Sequence, residues 1–309
     1  MGTVAAAERR VWEQTGVEPV EHRLDLERIG TTVRVQDLGT GPPAVFVHGT
    51  SVAGTTWADL AGALPDVRCI LVDRPGCGSS DPLAGEVDLD RILAVGDDLV
   101  ADVMDALELS SAAVVATSRG GLDALRGAAA HPDRVDRLLL FGWCLGAPGT
   151  RAPWWLRAGA VPGAARMMAA MPANARTVRS SLRRFGLGRA LDEGGMTDAA
   201  VDWLVALYRN TDTMLHESQA GPELMSLGQG WHDVVPQQVL ANVTAPARLV
   251  WGAEDPFGDE EVARNLAAAL PDADLHVLAR TGHAPWLDEP DRCRDLARDF
   301  LLNDRTAGT

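Results

Sequence analysis

The sequence predicts an α/β protein, in which a mostly parallel, doubly wound sheet of eight strands carries an inserted helical cap. Three observations predict this fold class. After Pro43, short continuous apolar runs alternate with helix-like segments, a pattern typical of parallel strands buried on both faces. Two earlier runs alternate apolar and polar residues, as antiparallel strands do. Between Gly142 and Arg248 there is no good strand, which indicates an insertion.

The elements follow in chain order, beginning with an Ala-rich segment at residues 3–13 that predicts an N-terminal helix. The predicted strands are Val20–Leu26, Thr32–Leu38, Ala44–Val47, Cys69–Val72, Ala112–Thr117, Leu138–Gly142, Leu249–Trp251 and Asp274–Leu278. The strand-free stretch is broken by Pro and Gly and reads as helices. The predicted division is therefore a first core part at 1–144, a cap at 145–235 and a second core part at 236–309.

A serine in a tight turn is the first candidate functional residue. Ala116-Thr117-Ser118-Arg119-Gly120 follows a β-branched run and precedes a helix-like segment, the arrangement of a nucleophile elbow. Ala116 and Gly120 leave space where larger side chains would collide with backbone. Such a match is weak alone, because a surface turn has the same composition. It gains weight from the motifs elsewhere in the chain.

Three other motifs accompany the serine. Upstream, the strand ending at Val47 runs into His48-Gly49-Thr50-Ser51, where His48 is expected to be structural. Downstream, Asp255 follows the strand that ends at Trp251. An acid at the end of a parallel strand lies at the same sheet edge as the serine. His283 follows the last strand, in a loop from which a base reaches over the serine.

These motifs resemble the α/β-hydrolase fold serine hydrolases of the capped, esterase-like type, whose chain order is serine, acid, histidine. The resemblance runs from about residue 20 to residue 302 and includes three further segments: 73–80, 131–135 and 288–290. It implies a catalytic triad of Ser118, Asp255 and His283, with an oxyanion hole formed by the N–H groups of Thr50 and Arg119. Two positions depart from the family pattern. Ala116 stands where Gly is commonest, and Arg119 where Met, Gln or an aromatic residue is more usual.

Side chains around the triad are assigned by the same reasoning. The Arg119 guanidinium is expected to form a structural ion pair, the alternative being that it holds a substrate carboxylate. Trp and Met residues in and before the cap indicate an adaptable apolar pocket, although they would equally serve to bury the cap against the core. The predicted pocket residues are Ser51, Trp143, Cys144, Trp154, Trp155, Met168, Trp203 and Trp286.

Composition limits the possible partners. The chain has 43 acidic and 28 basic residues and a formal charge of −15, which argues against binding to nucleic acid or an anionic membrane. Met1–Arg10 contains no apolar core of a signal peptide, and no run reaches the ~18 apolar residues of a membrane span. The four cysteines form no CxxC pair, which favours reduced thiols and a cytoplasmic location. No metal or cofactor is expected, a small-molecule substrate is the expected partner, and the oligomeric state is left open.

The expected reaction is hydrolysis of a carboxylic ester or lactone of a small to medium, largely apolar substrate, through an acyl-enzyme. Three alternatives retain the same triad: a C–C bond hydrolase, a cofactor-free perhydrolase or acyltransferase, and a non-enzymatic hydrolase-fold ligand receptor. Against the C–C hydrolase, the loop at His48–Ser51 lacks the longer Gly/Pro-rich sequence usual in those enzymes. Fold class alone does not choose among these functions.

Overall fold

An eight-stranded sheet organises the residues described by the computed structural model, which are 3–157, 173–226, 228 and 230–303. The strands are β1 (Val20–Leu26), β2 (Thr31–Leu38), β3 (Pro43–Val47), β4 (Arg68–Val72), β5 (Ala112–Ser118), β6 (Val135–Cys144), β7 (Met225–Ser226), β8 (Gly230–Trp231), β9 (Ala247–Gly252) and β10 (Ala273–Leu278). The helices are α1 (Val4–Thr15), α2 (Ala58–Gly62), α3 (Leu89–Ala106), α4 (Arg119–Ala130), α5 (Trp154–Arg157), α6 (Ala175–Arg184), α7 (Gly188–Glu193), α8 (Asp198–Asn210), α9 (Thr213–Leu224), α10 (Gln237–Ala241), α11 (Glu260–Ala269), α12 (Pro285–Asp288) and α13 (Pro290–Leu302).

The main sheet has the order β1-β2-β4-β3-β5-β6-β9-β10. β2 pairs antiparallel with β1 and β4, and the other neighbouring strands are parallel. The predicted fold class is confirmed, since every predicted strand is present. The ends differ by a few residues, as at β6, which begins at Val135. The antiparallel ribbon of β7 and β8 was not predicted, because strands of two residues are too short to show a periodic pattern.

Both faces of the sheet are covered by helices. Side chains of a strand alternate between the two faces, so in β3 Ala44 and Phe46 join one hydrophobic cluster while Val45 and Val47 join the other. Residues of α3, α4 and α11 complete the Val45 cluster, and residues of α1, α2 and α13 complete the Phe46 cluster. Burial on both faces explains why the central strands are continuous apolar runs in the sequence.

The order of the strands determines where a site can form. After β3 the chain passes to β4 on one side, and it returns to place β5 on the other side of β3. Loops leaving the carboxyl ends of β3 and β5 therefore diverge to opposite faces and leave a crevice between them. His48 directly follows β3 and Ser118 ends β5, so the topology brings these two motifs to one edge of the sheet.

The insertion lies between β6 and β9, as the missing strands indicated. It contains α5 to α9 and the β7–β8 ribbon. Residues of α6 and α8, including Val178, Leu182 and Trp203, belong to the same buried cluster as α1 and Trp286. The inserted helices are thus packed onto the core. The exact division of the chain at residues 144 and 235 stays a prediction.

Candidate active site

Ser118 occupies a strained turn between β5 and α4. Its backbone has φ 54° and ψ −123°, a conformation that L-residues rarely adopt and that costs about 1–3 kcal/mol. A Cβ on Gly120 would lie 2.4 Å from the carbonyl oxygen of Val47 and 2.6 Å from that of His48. The predicted role of Gly120, to leave room for backbone, is therefore confirmed. The turn is tight because α4 begins directly against the end of β3.

The hydroxyl of Ser118 is left available by this geometry. Ser118 precedes the first residue of α4, the position where serine usually accepts a hydrogen bond from the helix backbone, yet its side chain makes no such bond. Thr3, at the same position of α1, does accept one from Ala6 N–H. Within the described part of the chain, Ser118 Oγ makes no hydrogen bond to His283 or to any other residue.

Cys144 packs against the turn that contains Ser118. It lies opposite Ser118 where β5 pairs with β6, and a Cβ on Gly121 would come within 2.4 Å of the Cys144 Cβ. The thiol is fully buried, and this burial raises its pKa far above the ordinary value. Cys144 was predicted to line the pocket. The structure places it beneath the turn, as an inert packing residue.

Asp255 and His283 form the acid–histidine pair that the sequence predicted. His283 Nδ1 lies 2.8 Å from Asp255 Oδ2. Because a carboxylate only accepts hydrogen bonds, Nδ1 carries a proton, and in the neutral ring Nε2 is the nitrogen with the free lone pair. Asp255 also accepts the N–H groups of Trp143 at 2.8 Å and Phe257 at 3.0 Å. Three donors therefore fix the position of one buried carboxylate.

Gly142 makes this arrangement possible, and sequence analysis did not single it out. Its φ is +63°, and a Cβ there would lie 2.4 Å from the His283 carbonyl oxygen and 3.3 Å from Asp255 Oδ2. Only glycine satisfies both the positive φ and the close approach. The residue was visible in the sequence as a glycine that ends a strand, but its distant neighbours were not.

The loop after β3 is braced by buried polar groups. His48 Nε2 accepts the Arg74 N–H at 2.9 Å, so Nδ1 carries the proton and donates to the Gly49 carbonyl oxygen at 2.7 Å. Burial, and then the nearby Arg74 charge, lower the pKa of His48 well below its ordinary value, which keeps the ring neutral. The expected structural role of His48 is confirmed. A Cβ on Gly49 would lie 2.9 Å from Ser118 Cβ, so this glycine is required by close approach to Ser118.

Two buried ion pairs lie beside Ser118. Arg119 Nη1 contacts Asp123 Oδ1 at 2.6 Å along α4, which is the structural ion pair expected for Arg119. Arg74 Nη2 contacts Glu217 Oε1 at 2.6 Å and joins the core to α9. Burial opposes ionisation of Glu217, but Arg74 and Arg119 hold the pKa of this carboxyl below its ordinary value. Sequence reasoning missed the second pair, since nothing in the pattern links positions so far apart in the chain.

A small cavity of about 60 Å³ lies between these ion pairs and the apolar side of α3. Its polar lining includes Arg74, Arg119, Asp123 and Glu217. Asp123 Oδ2 is buried and has no hydrogen-bond partner in the described structure. The space is large enough to hold water, since a cavity needs about 10–15 Å³ for one water molecule.

An aromatic cluster packs against His283. The ring centroids of Phe257 and His283 are 4.6 Å apart, and Trp143 stacks on Phe257 with 5.2 Å between centroids. Trp155 and Phe185 of the insertion also contact Phe257, at 6.1 and 5.5 Å. Trp143 and Trp155 therefore belong to an aromatic cluster beside His283, and their role as substrate-pocket residues stays a prediction. Phe185 and Phe257 were missed, because Trp and Met were the only large apolar residues that the sequence analysis assigned to the pocket.

Among the remaining predicted pocket residues, Trp154, Trp203 and Trp286 lie in other environments. Trp154, the first residue of α5, is 81% exposed and therefore lines no enclosed pocket. Trp286 is buried against Trp57, with 4.4 Å between the ring centroids. Trp203 is buried on α8. Both side chains belong to the hydrophobic core. Ser51 is half-buried in the loop after β3, with φ 61°. Met168 lies outside the described residues.

Among the described residues, no group of three or more His, Cys, Asp or Glu side chains is arranged to hold a metal ion. The candidate site thus consists of a strained serine, a histidine fixed by a carboxylate, and two neighbouring ion pairs.

In the described part of the chain, no helix is long and apolar enough to cross a membrane. All four cysteines are buried and unpaired.

Comparison with known proteins finds a match to the model of the alpha/beta hydrolase family over residues 44–296. A pimeloyl-[acyl-carrier protein] methyl ester esterase of Chromobacterium violaceum is 33% identical, over 85% of this chain and 96% of that protein. A 2-hydroxy-6-oxononadienedioate/2-hydroxy-6-oxononatrienedioate hydrolase of Burkholderia vietnamiensis is 28% identical, over 88% and 92%. Among solved structures, a carboxylesterase from Bacillus subtilis superposes with a TM-score of 0.74 at 17% identity, covering 97% of each chain.

Proposed function

This chain belongs to the alpha/beta hydrolase family, and from that premise we propose that it is a serine hydrolase that cleaves a neutral carboxylic ester or lactone. The observation that carries the proposal is the pairing of a strained, uncommitted Ser118 hydroxyl with a histidine whose Nδ1 is fixed by Asp255. This hydroxyl makes no hydrogen bond to the described residues that would stabilise the turn. A nucleophile needs that freedom.

The proposed reaction has two halves. Ser118 Oγ attacks the acyl carbon while His283 Nε2 takes its proton, and the same proton then passes to the leaving alcohol. Asp255 holds the tautomer and stabilises the imidazolium that forms. Water, activated by His283, then releases the acid from the acyl-enzyme. The missing Ser118–His283 hydrogen bond is compatible with this scheme, because such bonds often tighten only with substrate.

The oxyanion is proposed to bind the N–H groups of Thr50 and Arg119. Arg119 is the first residue of α4, so its N–H is one of those that the helix leaves without an internal partner. Thr50 lies in the loop that a Cβ-free Gly49 brings against Ser118. Two preorganised N–H donors are the usual means of stabilising the tetrahedral intermediate.

The charges around Ser118 support a neutral acyl group. Both described arginines beside the serine are already paired, Arg119 with Asp123 and Arg74 with Glu217. A substrate carboxylate there would have to compete with Asp123 and Glu217 for these two arginines, and it would lie near two buried carboxylates. Cluster members Trp155 and Phe257 offer apolar contact instead.

A C–C bond hydrolase is the second candidate, favoured by one observation. Several relatives at 24–28% identity have names of that class. The Burkholderia vietnamiensis protein and a 2-hydroxy-6-oxo-6-phenylhexa-2,4-dienoate hydrolase of Burkholderia cepacia are both 28% identical. Offering 2-hydroxy-6-oxo-6-phenylhexa-2,4-dienoate beside neutral p-nitrophenyl esters separates the two. Faster turnover of the dienoate, judged by kcat/KM, would contradict the ester proposal.

The triad itself is tested by substitution. Ser118→Ala is expected to lower kcat on an ester by a factor on the order of 10⁶ and to abolish labelling by a fluorophosphonate probe. Asp255→Asn is expected to cost about 10⁴ in kcat, because the histidine then adopts the wrong tautomer. Ser111→Ala, immediately before β5, and Glu254→Gln, beside the acid, are the matched controls and should remain active. Persistent labelling of Ser118→Ala would assign another nucleophile, and a wild-type protein that binds esters without turnover would indicate a receptor.

A further inference from the structure

The peptide joining Gly49 to Thr50 is held firmly on its carbonyl side. The Gly49 carbonyl oxygen accepts hydrogen bonds from His48 Nδ1 at 2.7 Å and from Arg74 Nη2 at 3.1 Å. Arg74 Nε also donates to the His48 carbonyl oxygen at 3.1 Å. The N–H of the same peptide belongs to Thr50 and donates no hydrogen bond to any of the described residues. Because a peptide is planar, fixing its oxygen fixes the direction of its N–H.

Arg74 is itself positioned from the insertion. Glu217, on α9, accepts its Nη2 at 2.6 Å, and the two side chains are 6% and 10% exposed. Glu217 also accepts a weak hydrogen bond from the Cys77 thiol at 3.2 Å. Thr213, at the start of α9, accepts the Gly78 N–H at 3.0 Å, and His216 Nδ1 lies 2.9 Å from the Gly76 carbonyl oxygen. α9 therefore holds the segment that follows β4 at several points.

We propose that Arg74 is a positioning residue for the oxyanion hole, and that Glu217 links the inserted helix α9 to it. The guanidinium aims the Thr50 N–H at the oxygen on which charge develops. Charge-assisted hydrogen bonding to the Gly49 oxygen also polarises the amide, which makes its N–H a stronger donor. Arg74 touches no reacting atom. The inference rests on the proposed function, since an oxyanion forms only if Ser118 attacks a carbonyl.

Two variants separate positioning from charge balance. Arg74→Met removes the brace but leaves Glu217 buried without its partner, a change that by itself destabilises proteins. The double variant Arg74→Met/Glu217→Gln removes both charges and leaves His48 alone on the Gly49 oxygen. Glu217→Gln alone retains Arg74 but weakens its anchor. The matched control is Arg248→Met, which removes a buried arginine paired with Asp274 and Asp299 at the opposite end of the sheet.

The test requires a ligand whose affinity depends on stabilisation of the oxyanion. An aryl trifluoromethyl ketone accepts Ser118 Oγ at its carbonyl carbon, the serine proton passes to His283, and the carbonyl oxygen becomes a hemiketal oxyanion. We expect the double variant to lower kcat on a neutral ester and affinity for the ketone in parallel, by about 10–100-fold. This is less than the ~10²–10³-fold cost of deleting an oxyanion donor outright. KM and the affinity for the product acid should change little, and Glu217→Gln should show a few-fold loss of the same kind.

The outcomes distinguish this inference from the proposed function. If the wild-type protein neither hydrolyses esters nor forms the ketone adduct, the proposed function fails. If it does both while the Arg74 variants behave like Arg248→Met, with a lower Tm and unchanged kcat, the positioning role is overturned. Equal losses for the ketone and for the product acid would also overturn it, because they indicate a general loss of the site. Should both Arg74 variants fail to fold, the kcat of Glu217→Gln decides: a value equal to wild type contradicts the link.

Discussion

At the scale of single residues, the site depends on glycines at least as much as on the reactive side chains. Gly120 admits the carbonyl oxygens at the end of β3, Gly49 admits Ser118, and Gly142 admits Asp255 and the His283 loop. Each is required because a Cβ would meet atoms that define the geometry of the candidate site. The motif around Gly120 could be read from the sequence, since small residues flank the serine at fixed spacing. Gly142 could not, because its neighbours come from a different part of the chain.

Gly142→Ala is therefore expected to reduce activity beyond its effect on stability. The new Cβ must displace the His283 backbone or the Asp255 carboxylate, and a misplacement of about 1 Å can cost on the order of 10²-fold in rate. Gly16→Ala is the matched control, because Gly16 has φ 70° and open space around it. Both variants should lose about 1–2 kcal/mol of stability from the positive φ, seen as a lower Tm. Equal kcat values in the two variants would contradict this role of Gly142.

At the scale of elements, the inserted helices contribute to two different environments. α8 packs with α1 and carries Trp203 into the core cluster, whereas α5 and the segment at Phe185 contribute to the aromatic cluster beside His283. Composition could not separate these roles. A tryptophan that faces a ligand and one that faces the core are indistinguishable in the sequence of a cap. Only the observed packing shows which role each residue has.

The tryptophans of the insertion offer a direct test of this division. Trp155→Ala should change the preference for ester acyl-chain length, because Trp155 contacts Phe257, which in turn packs on His283. Trp203→Ala should cost about 3–5 kcal/mol of stability with acyl preference unchanged, as expected for a buried aromatic side chain. Trp154→Ala, next to Trp155 on α5, should alter neither property, since its side chain is exposed. A chain-length profile for Trp155→Ala identical to that of Trp154→Ala would contradict the assignment.

At the scale of the whole molecule, topology determines what the sequence could reveal. The central strands were recognisable because burial on both faces makes them continuous apolar runs. Ser118, Asp255 and His283 could be grouped because each lies at or beyond the carboxyl end of a parallel strand, at one edge of the sheet. The Arg74–Glu217 pair was not recognisable. It joins the loop after β4 to α9, and no local spacing reports which charged residues meet across an insertion.

The overall charge leads to a further prediction about substrates. A chain with a formal charge of −15 repels anionic ligands over distances that salt controls, since the screening length falls from about 30 Å at 0.01 M salt to about 8 Å at 0.15 M. The kcat/KM of an ester that bears a carboxylate on its acyl chain should therefore rise as salt is added. The uncharged isostere should show no such dependence and should remain the better substrate throughout, because Arg119 and Arg74 are neutralised by Asp123 and Glu217.

Measuring both esters across a salt series separates the two contributions. A difference in kcat/KM that shrinks as salt is added reports the long-range field, and a difference that persists at high salt reports the paired charges of the site. A carboxylate-bearing ester hydrolysed faster than its isostere at high salt would mean that one of these arginines exchanges its internal partner for the substrate, and the proposal of a neutral substrate would be wrong.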